Sequence, residues 1–351
     1  MRATNQTPDD ATNGADPGDR RKRATGRRRP LARLAGIVAG LALVAGLAPQ
    51  LAAQAATSTG ARASRTVPAS AGTARASFTL PHVTRAQLGH TRFGKTIYNP
   101  SSSFASALHQ ADRYYGRLDV VRVYYPELPK PWPGAAGEVR RPVAVSFRGN
   151  PREILSGQHD RELRSWFTHA PSSHPVWWTY IHEPEDNISG HDFSAASYRA
   201  AWRHLYALSR AAHNPMLRPT LTLMCWTIEK GSGRRFSDYY PGRFISTLAW
   251  DCYNQSWREG VYRKPSLMIS HAARFSHRHG KGFAIAEFGS PLVRGDKSGV
   301  RRAHWLVAYA RTAARLGAKY VTYFDAPSYG CDFRLRDAPS RAAWRTIIRH
   351  S

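Results

Sequence analysis

From about Phe78 onward, short apolar runs alternate with longer stretches whose apolar residues recur every three to four positions. The runs predict strands near Gln87–Tyr98, Leu118–Tyr125, Pro142–Arg148, Val176–His182, Pro219–Trp226, Thr247–Asn254, Phe283–Gly289 and Tyr320–Asp325. Helical periodicity is clearest at Ser194–Ala212, Ser266–His279 and Gly299–Leu316. Gly116, Gly280 and Gly317 close helical segments just before strands, where a left-handed cap is wanted. Ser101, Ser102 and Ser103 offer N-caps for the first helix. Strands that alternate with helices imply a parallel sheet. At roughly 270 residues that sheet closes most simply as a (β/α)8 TIM barrel forming one domain, residues 78–351. A doubly wound open sheet is the competitor, but no Gly-rich phosphate loop follows any of the strands.

Ahead of this domain the pattern is different. Residues 1–19 are polar, Arg20 to Arg23 and Arg27 to Arg29 are basic, and an apolar run follows from about Leu31 to Ala56. With small residues at Ala53-Gln54-Ala55, residues 1–55 read as a secretory signal with a long basic front end. The apolar run also approaches spanning length, so an uncleaved membrane anchor is the alternative. Arg28-Arg29 resembles a twin-arginine signal only loosely. Residues 56–77, rich in Ala, Ser, Thr and Arg without periodicity, predict a flexible linker. The expectation is a secreted or cell-surface monomer, touching membrane only if the segment stays uncleaved.

Residues 1–55 carry 9 of the 51 Lys+Arg and 4 of the 24 Asp+Glu, so the rest of the chain keeps a formal charge of +22. This could favour an anionic polymer such as acidic polysaccharide or an anionic cell wall, although a generally basic, soluble surface explains it equally well. No nucleic-acid motif is visible. Of three cysteines, Cys225 and Cys252 lie in consecutive predicted strands and form the most plausible bridge, leaving Cys331 over.

Two of the strands end in a carboxylate. Val176 to Glu183 is apolar and aromatic until His182-Glu183 and breaks at Pro184; Phe283 to Glu287 behaves the same way and breaks at Gly289. Burying such a strand end is costly unless the acid has a partner or a task. In a barrel the functional residues stand at the C-terminal strand ends. Read in order, those ends carry Arg122 and Tyr124, Phe147, His182 and Glu183, Trp226, Asp251 with Tyr253 and Asn254, Glu287, and Phe324 with Asp325. Carboxylates, hydrogen-bonding groups and aromatic faces together suit a carbohydrate site, and a carboxylate pair is what glycoside hydrolysis needs.

These residues carry a resemblance to glycoside hydrolase clan A, and within it most to family 26, the β-mannanases with some xylanases and β-glucanases. Most of the clan has Asn before the acid/base Glu on strand 4, whereas family 26 has His, as in His182-Glu183. The family's nucleophile lies in a Glu-Phe-Gly context, as Glu287-Phe288-Gly289 does, and its strand 6 has an Asp-x-Tyr element like Asp251-Cys252-Tyr253. Two features depart from it. Pro184-Glu185-Asp186-Asn187 replaces a Gly and Trp-rich continuation, and Phe324 stands where Trp is common. These put mannan specificity in doubt more than the reaction class.

The resemblance implies a retaining β-glycoside hydrolase acting on a mannan-like or other β-linked polysaccharide, without metal or organic cofactor. Glu287 would be the nucleophile and Glu183 the acid/base. Arg122, a cation in an apolar strand, is the candidate to hold Glu287 ionised, with Tyr253 adding a hydrogen bond; pairing of Arg122 with another barrel acid is the plainer reading. His182 either orients the acid/base or sugar, or is a satisfied core histidine. Glu185 and Asp186 either bind sugar hydroxyls or lie in a solvated loop, and Asp251 and Asp325 buttress the mouth. Trp226, Trp250, Trp257, Tyr323 and Tyr329 are candidate sugar platforms; any one is more often core than platform, but at least one should face the cleft. A zinc-protease helix is excluded because Pro184 breaks it and no second His follows His182 at the fourth position. A serine hydrolase is excluded for want of a Gly-x-Ser-x-Gly elbow. The rival from another class is an inactive barrel that binds cell-wall or capsular glycan.

Overall fold

The computed structural model describes residues 78–97, 103–129, 140–328 and 330–351. The readings of residues 1–77, of Ser101 and Ser102, and of Tyr329 lie outside these. Eight parallel strands close in sequence order: β1 (Arg92–Thr96), β2 (Val120–Tyr124), β3 (Val143–Phe147), β4 (Val176–Tyr180), β5 (Leu217–Met224), β6 (Thr247–Asp251), β7 (Gly282–Phe288) and β8 (Tyr320–Tyr323). The (β/α)8 barrel expected from the pattern is present, so all strand C-termini open at one mouth.

Alternation along the strands sorts the core into two layers. Val120, Ala144, Trp177, Ala249, Ala284, Ala286 and Tyr320 fill the barrel interior. Trp177 and Tyr320 are the bulky members, with ring centroids 4.7 Å apart, and alanines opposite leave them room. The neighbouring positions face the helices: on β4, Trp178 stacks on Trp202 at 5.1 Å and packs edge-on to Phe167. Trp202 lies on the longest helix, Ala195–Ala211, whose N-cap Ser194 accepts from Ser197 N. That helix and those at Pro265–Arg278 and Val300–Arg315 match the periodic segments to within a residue or so at each end.

Two expectations about elements are corrected. The segment Gln87–Tyr98 is not one strand: a capping box between Thr84 and Gln87 starts a helical turn over Arg85–Leu88, and β1 begins only at Arg92. The fifth strand runs Leu217–Met224, and a 3₁₀ turn at Cys225–Ile228 takes Trp226 out of it. Cys225 and Cys252 form the disulfide, and Cys331 is free. Among the described residues no helix is long and apolar enough to cross a membrane.

Candidate active site

Strict alternation would send Glu287 outward. Ala284 and Ala286 point into the barrel while Phe283 and Ile285 face the helices, so the next residue should face inward only after Glu287. The pairing of β7 slips on both sides, between Trp250 and Asp251 of β6 and between Ile285 and Phe288 of β7. This irregularity returns Phe288 to the outer core and turns the Glu287 carboxylate into the mouth.

There Glu287 is 1% exposed and met by donors. Tyr124 donates to Oε1 at 2.6 Å, Tyr253 donates to Oε2 at 2.6 Å, and the Arg122 guanidinium stands 3.6 Å from Oε1. Burial, and after it Glu287, holds both phenols well above the usual tyrosine range, so they stay protonated and donate. Arg122 lies over the Tyr124 ring, 4.4 Å from its centroid. Two hydroxyl donors and a guanidinium, the latter near enough for an ion pair but with Nε and Nη2 making no hydrogen bond, thus surround one carboxylate. Arg122 therefore pairs with Glu287, not with another barrel acid. Tyr253 is in turn fixed by ring contacts with Phe324 at 5.8 Å and Phe333 at 5.2 Å.

Glu183 is held by different means. Ile181 and Glu183 adopt left-handed φ of 46° and 49°, a conformation that costs about 1–3 kcal/mol at each such residue. The turn is anchored by Ile181 N to Phe147 O at 2.8 Å and Glu183 N to Thr222 O at 3.1 Å. Pro184 then opens the helix Pro184–Ser189, for which its fixed φ is suited. The Glu183 carboxyl meets mainly acids. Loss of solvent, then Glu287, Glu185 and Asp186, pushes it well above the usual carboxylate range. Asp251, 4% exposed, is pushed up by burial and by Glu287 and Glu183. His182 packs at a tilt against Tyr124, ring centroids 5.3 Å apart; burial, Arg122 and Arg148 hold its imidazole well below the usual range, hence neutral. Its Nδ1 has no hydrogen-bond partner within the protein.

The structure thus gathers Glu183, Glu287, His182, Arg122, Tyr253 and Asp251 at one mouth, with Phe324 behind Tyr253. Asn254 has a supporting place: its side-chain amide donates to Val261 O and Ser290 Oγ, both at 2.9 Å. Trp226 is 47% exposed on the turn after β5, and Trp257 is half-buried beneath Arg258. Asp325 is a buttress, taken up by Lys95, Tyr115 and Leu335 N.

Two of the aromatic candidates prove to be core, and the reading of Glu185 is corrected. Trp250 is fully buried and donates to Ser276, so it is core. Tyr323 is fully buried, its hydroxyl spent on Phe333 O. Glu185 is neither solvated nor open to a sugar, because it is fully buried. Missed altogether were the Tyr124 hydrogen bond, Phe333 and Arg148, which donates to Asn187 at 2.8 Å beside Glu183. Tyr124 could have been weighted from its place two residues after Arg122; Phe333, alone in a polar loop, gave no signal.

Among the described residues no group of three or more His, Cys, Asp or Glu side chains is placed to hold a metal ion. No protein-family model and no curated protein matches the chain in sequence. Solved structures do match in fold. A glucosidase from Croceicoccus marinus aligns with a TM-score of 0.53 at 10% identity, over 74% of this chain and 67% of its own. The exo-β-1,4-mannosidase Op5Man5 from Opitutaceae bacterium strain TAV5 aligns with 0.53 at 14%, over 74% of this chain, which spans only 59% of that protein. The GH26 domain of an endo-β-mannanase/endo-β-glucanase from Prevotella bryantii aligns with 0.50 at 10%, over 75% and 90%. At 10–14% identity the likeness to these three proteins is one of fold, the closed (β/α)8 barrel.

Proposed function

We propose that the protein is a retaining β-glycoside hydrolase that cleaves a β-linked polysaccharide. One observation carries this reading: two carboxylates at a common mouth have opposite surroundings, Glu287 among donors and Glu183 among acids. Glu287 attacks the anomeric carbon while Glu183 protonates the departing oxygen; Glu183 then takes a proton from the water that releases the sugar. Tyr124, Tyr253 and Arg122 keep Glu287 in one orientation. The neutral His182 offers a nitrogen to a sugar hydroxyl, and half-exposed Trp226 offers a face to a ring. A cavity of about 720 Å³ beside the Glu183 turn, lined in part by Arg148, Asn150, Ile181, Asn187 and Phe193, has room for sugar units. The glycan-cleaving names of the structural neighbours favour a β-linked substrate. The +22 charge of the chain beyond residue 55 adds an anionic polysaccharide to the candidates, and export by residues 1–55 would give access to it.

The test is a screen of the protein against mannans, xylans, mixed-linkage glucans and acidic bacterial polysaccharides, reading new reducing ends, with Glu287→Ala as control. Release that vanishes in the variant supports the reading. Binding without release on every substrate would identify a glycan-binding barrel instead.

A further inference from the structure

Immediately after Glu183 the chain places a second glutamate where solvent and substrate are both shut out. Glu185 is 0% exposed. Its Oε1 accepts from Met224 N at 2.9 Å and from Thr227 Oγ1 at 2.5 Å, while Oε2 has no hydrogen-bond partner. Met224 ends β5 and Thr227 lies in the 3₁₀ turn that follows, so Glu185 ties the strained turn after β4 to its neighbour strand. This tie stands alongside the Glu183 N to Thr222 O bond, and the two bracket the acid/base glutamate.

A glutamine could accept the same two hydrogen bonds. The carboxylate brings a charge as well, at the expense of burying an oxygen without a partner, roughly 1–3 kcal/mol. The groups facing it are Glu183 and Asp186 on its own segment, Arg234 from the loop after β5, Tyr198 and Tyr239 from flanking helices, and Asp251 from β6. Arg234 is engaged by Asp186 at 2.8 Å, leaving Glu185 without an ion pair.

We propose that Glu185 is a positioning residue for the reaction: it pins the turn that presents Glu183 and supplies the neighbouring charge against which Glu183 keeps its proton. Burial pushes the Glu185 carboxyl up to about 7, the hydrogen bonds from Thr227 and Met224 limiting the rise. It therefore ionises as the solution turns neutral, and its new charge then opposes ionisation of Glu183, pushing that carboxyl upward. The device extends the active range toward neutral pH. The inference rests on Glu183 being the acid/base.

The test compares wild type, Glu185→Gln and Glu185→Ala in the full chain. Side-chain ¹³C-carboxyl NMR on glutamate-labelled protein follows the titration of Glu183, its resonance identified by loss in Glu183→Gln. Glu185→Gln keeps the tie, so folding is retained, but the Glu183 midpoint moves to lower pH. The basic limb of the pH–rate profile follows it, and the ratio of rates at about pH 8 to about pH 6 falls about fivefold. Glu185→Ala shifts the basic limb in the same way and in addition loses about tenfold in kcat at its optimum, and the Gln variant restores the optimum rate. A Glu183 midpoint and basic limb unmoved in Glu185→Gln would overturn the proposal and leave Glu185 a plain structural tie. Full activity of Glu183→Ala would instead strike the functional reading beneath it.

Discussion

Glu287 and Glu183 stand at the same mouth, yet the protein treats them in opposite ways. Around Glu287 it places two partly buried phenols and a buried guanidinium, themselves held by ring contacts. Around Glu183 it leaves acids, Asp251 within hydrogen-bonding reach among them, and sets the residue on a strained backbone turn. The same residue type thus meets opposite surroundings at one mouth, the contrast that the proposed pairing of a nucleophile with an acid calls for.

The largest effect should come from the donor-rich side. Glu287→Gln removes the nucleophile while preserving shape, and kcat should fall by about 10⁴-fold or more with the melting curve intact. Near-normal turnover of the true substrate would break the contrast outright. Glu183→Ala should lower kcat about 10²- to 10⁴-fold on natural glycan but far less on aryl glycosides, whose leaving groups need no proton. Equal losses on both substrates would mean Glu183 is not the acid.

Smaller changes sharpen the contrast. Arg122→Met leaves a buried carboxylate short of its cation, so the fold should lose about 3–5 kcal/mol in chemical denaturation. In the same variant the acid limb of the pH–rate profile should move to higher pH while the basic limb moves much less; an unmoved acid limb would make Arg122 structural. Tyr253→Phe deletes a charge-assisted hydrogen bond, and kcat should fall about ten- to a hundredfold with little change in KM.

The smallest effect concerns stability. Glu183, Glu185 and Asp251 hold protons in the folded chain that the unfolded chain releases at lower pH. The folded state therefore binds more protons, and stability falls as pH rises; for Glu185 the loss runs from about 4.5 to about 7. His182, whose folded value is lowered, acts oppositely and only as pH falls through the usual imidazole range. The melting temperature should be a few degrees lower at about pH 8 than at about pH 5. A rise over that interval would show that these carboxyls are ionised in the native protein.

Much of this was legible in the chain because strand periodicity survives into the barrel. Apolar runs that end in His182-Glu183 and in Glu287 mark both strand and mouth, and Asp251-Cys252-Tyr253 marks a third. What stayed hidden was geometry that breaks the period. The slip in β7 that turns Glu287 inward has no residue signature in Ala284-Ile285-Ala286-Glu287-Phe288. Aromatic residues were ambiguous for a related reason: Trp250 and Tyr323 occupy strand ends as Tyr124 does, and only the facing direction separates core from site. Glu185 looked like a loop acid because nothing in Pro184-Glu185-Asp186 announces that the 3₁₀ turn at Cys225–Ile228 folds over it.

The central claim, that Glu287 is a nucleophile in a double displacement, is open to direct chemical trapping. A panel of 2-deoxy-2-fluoro β-glycosyl fluorides of mannose, glucose and xylose, incubated with the protein and followed by peptide mass spectrometry, reads the residue that becomes glycosylated. The account predicts an adduct on the peptide carrying Glu287, at that residue, and none in Glu287→Gln. Labelling of Glu183 or Asp251 in its place, or inversion of the anomeric configuration in the products of natural substrate, would contradict it.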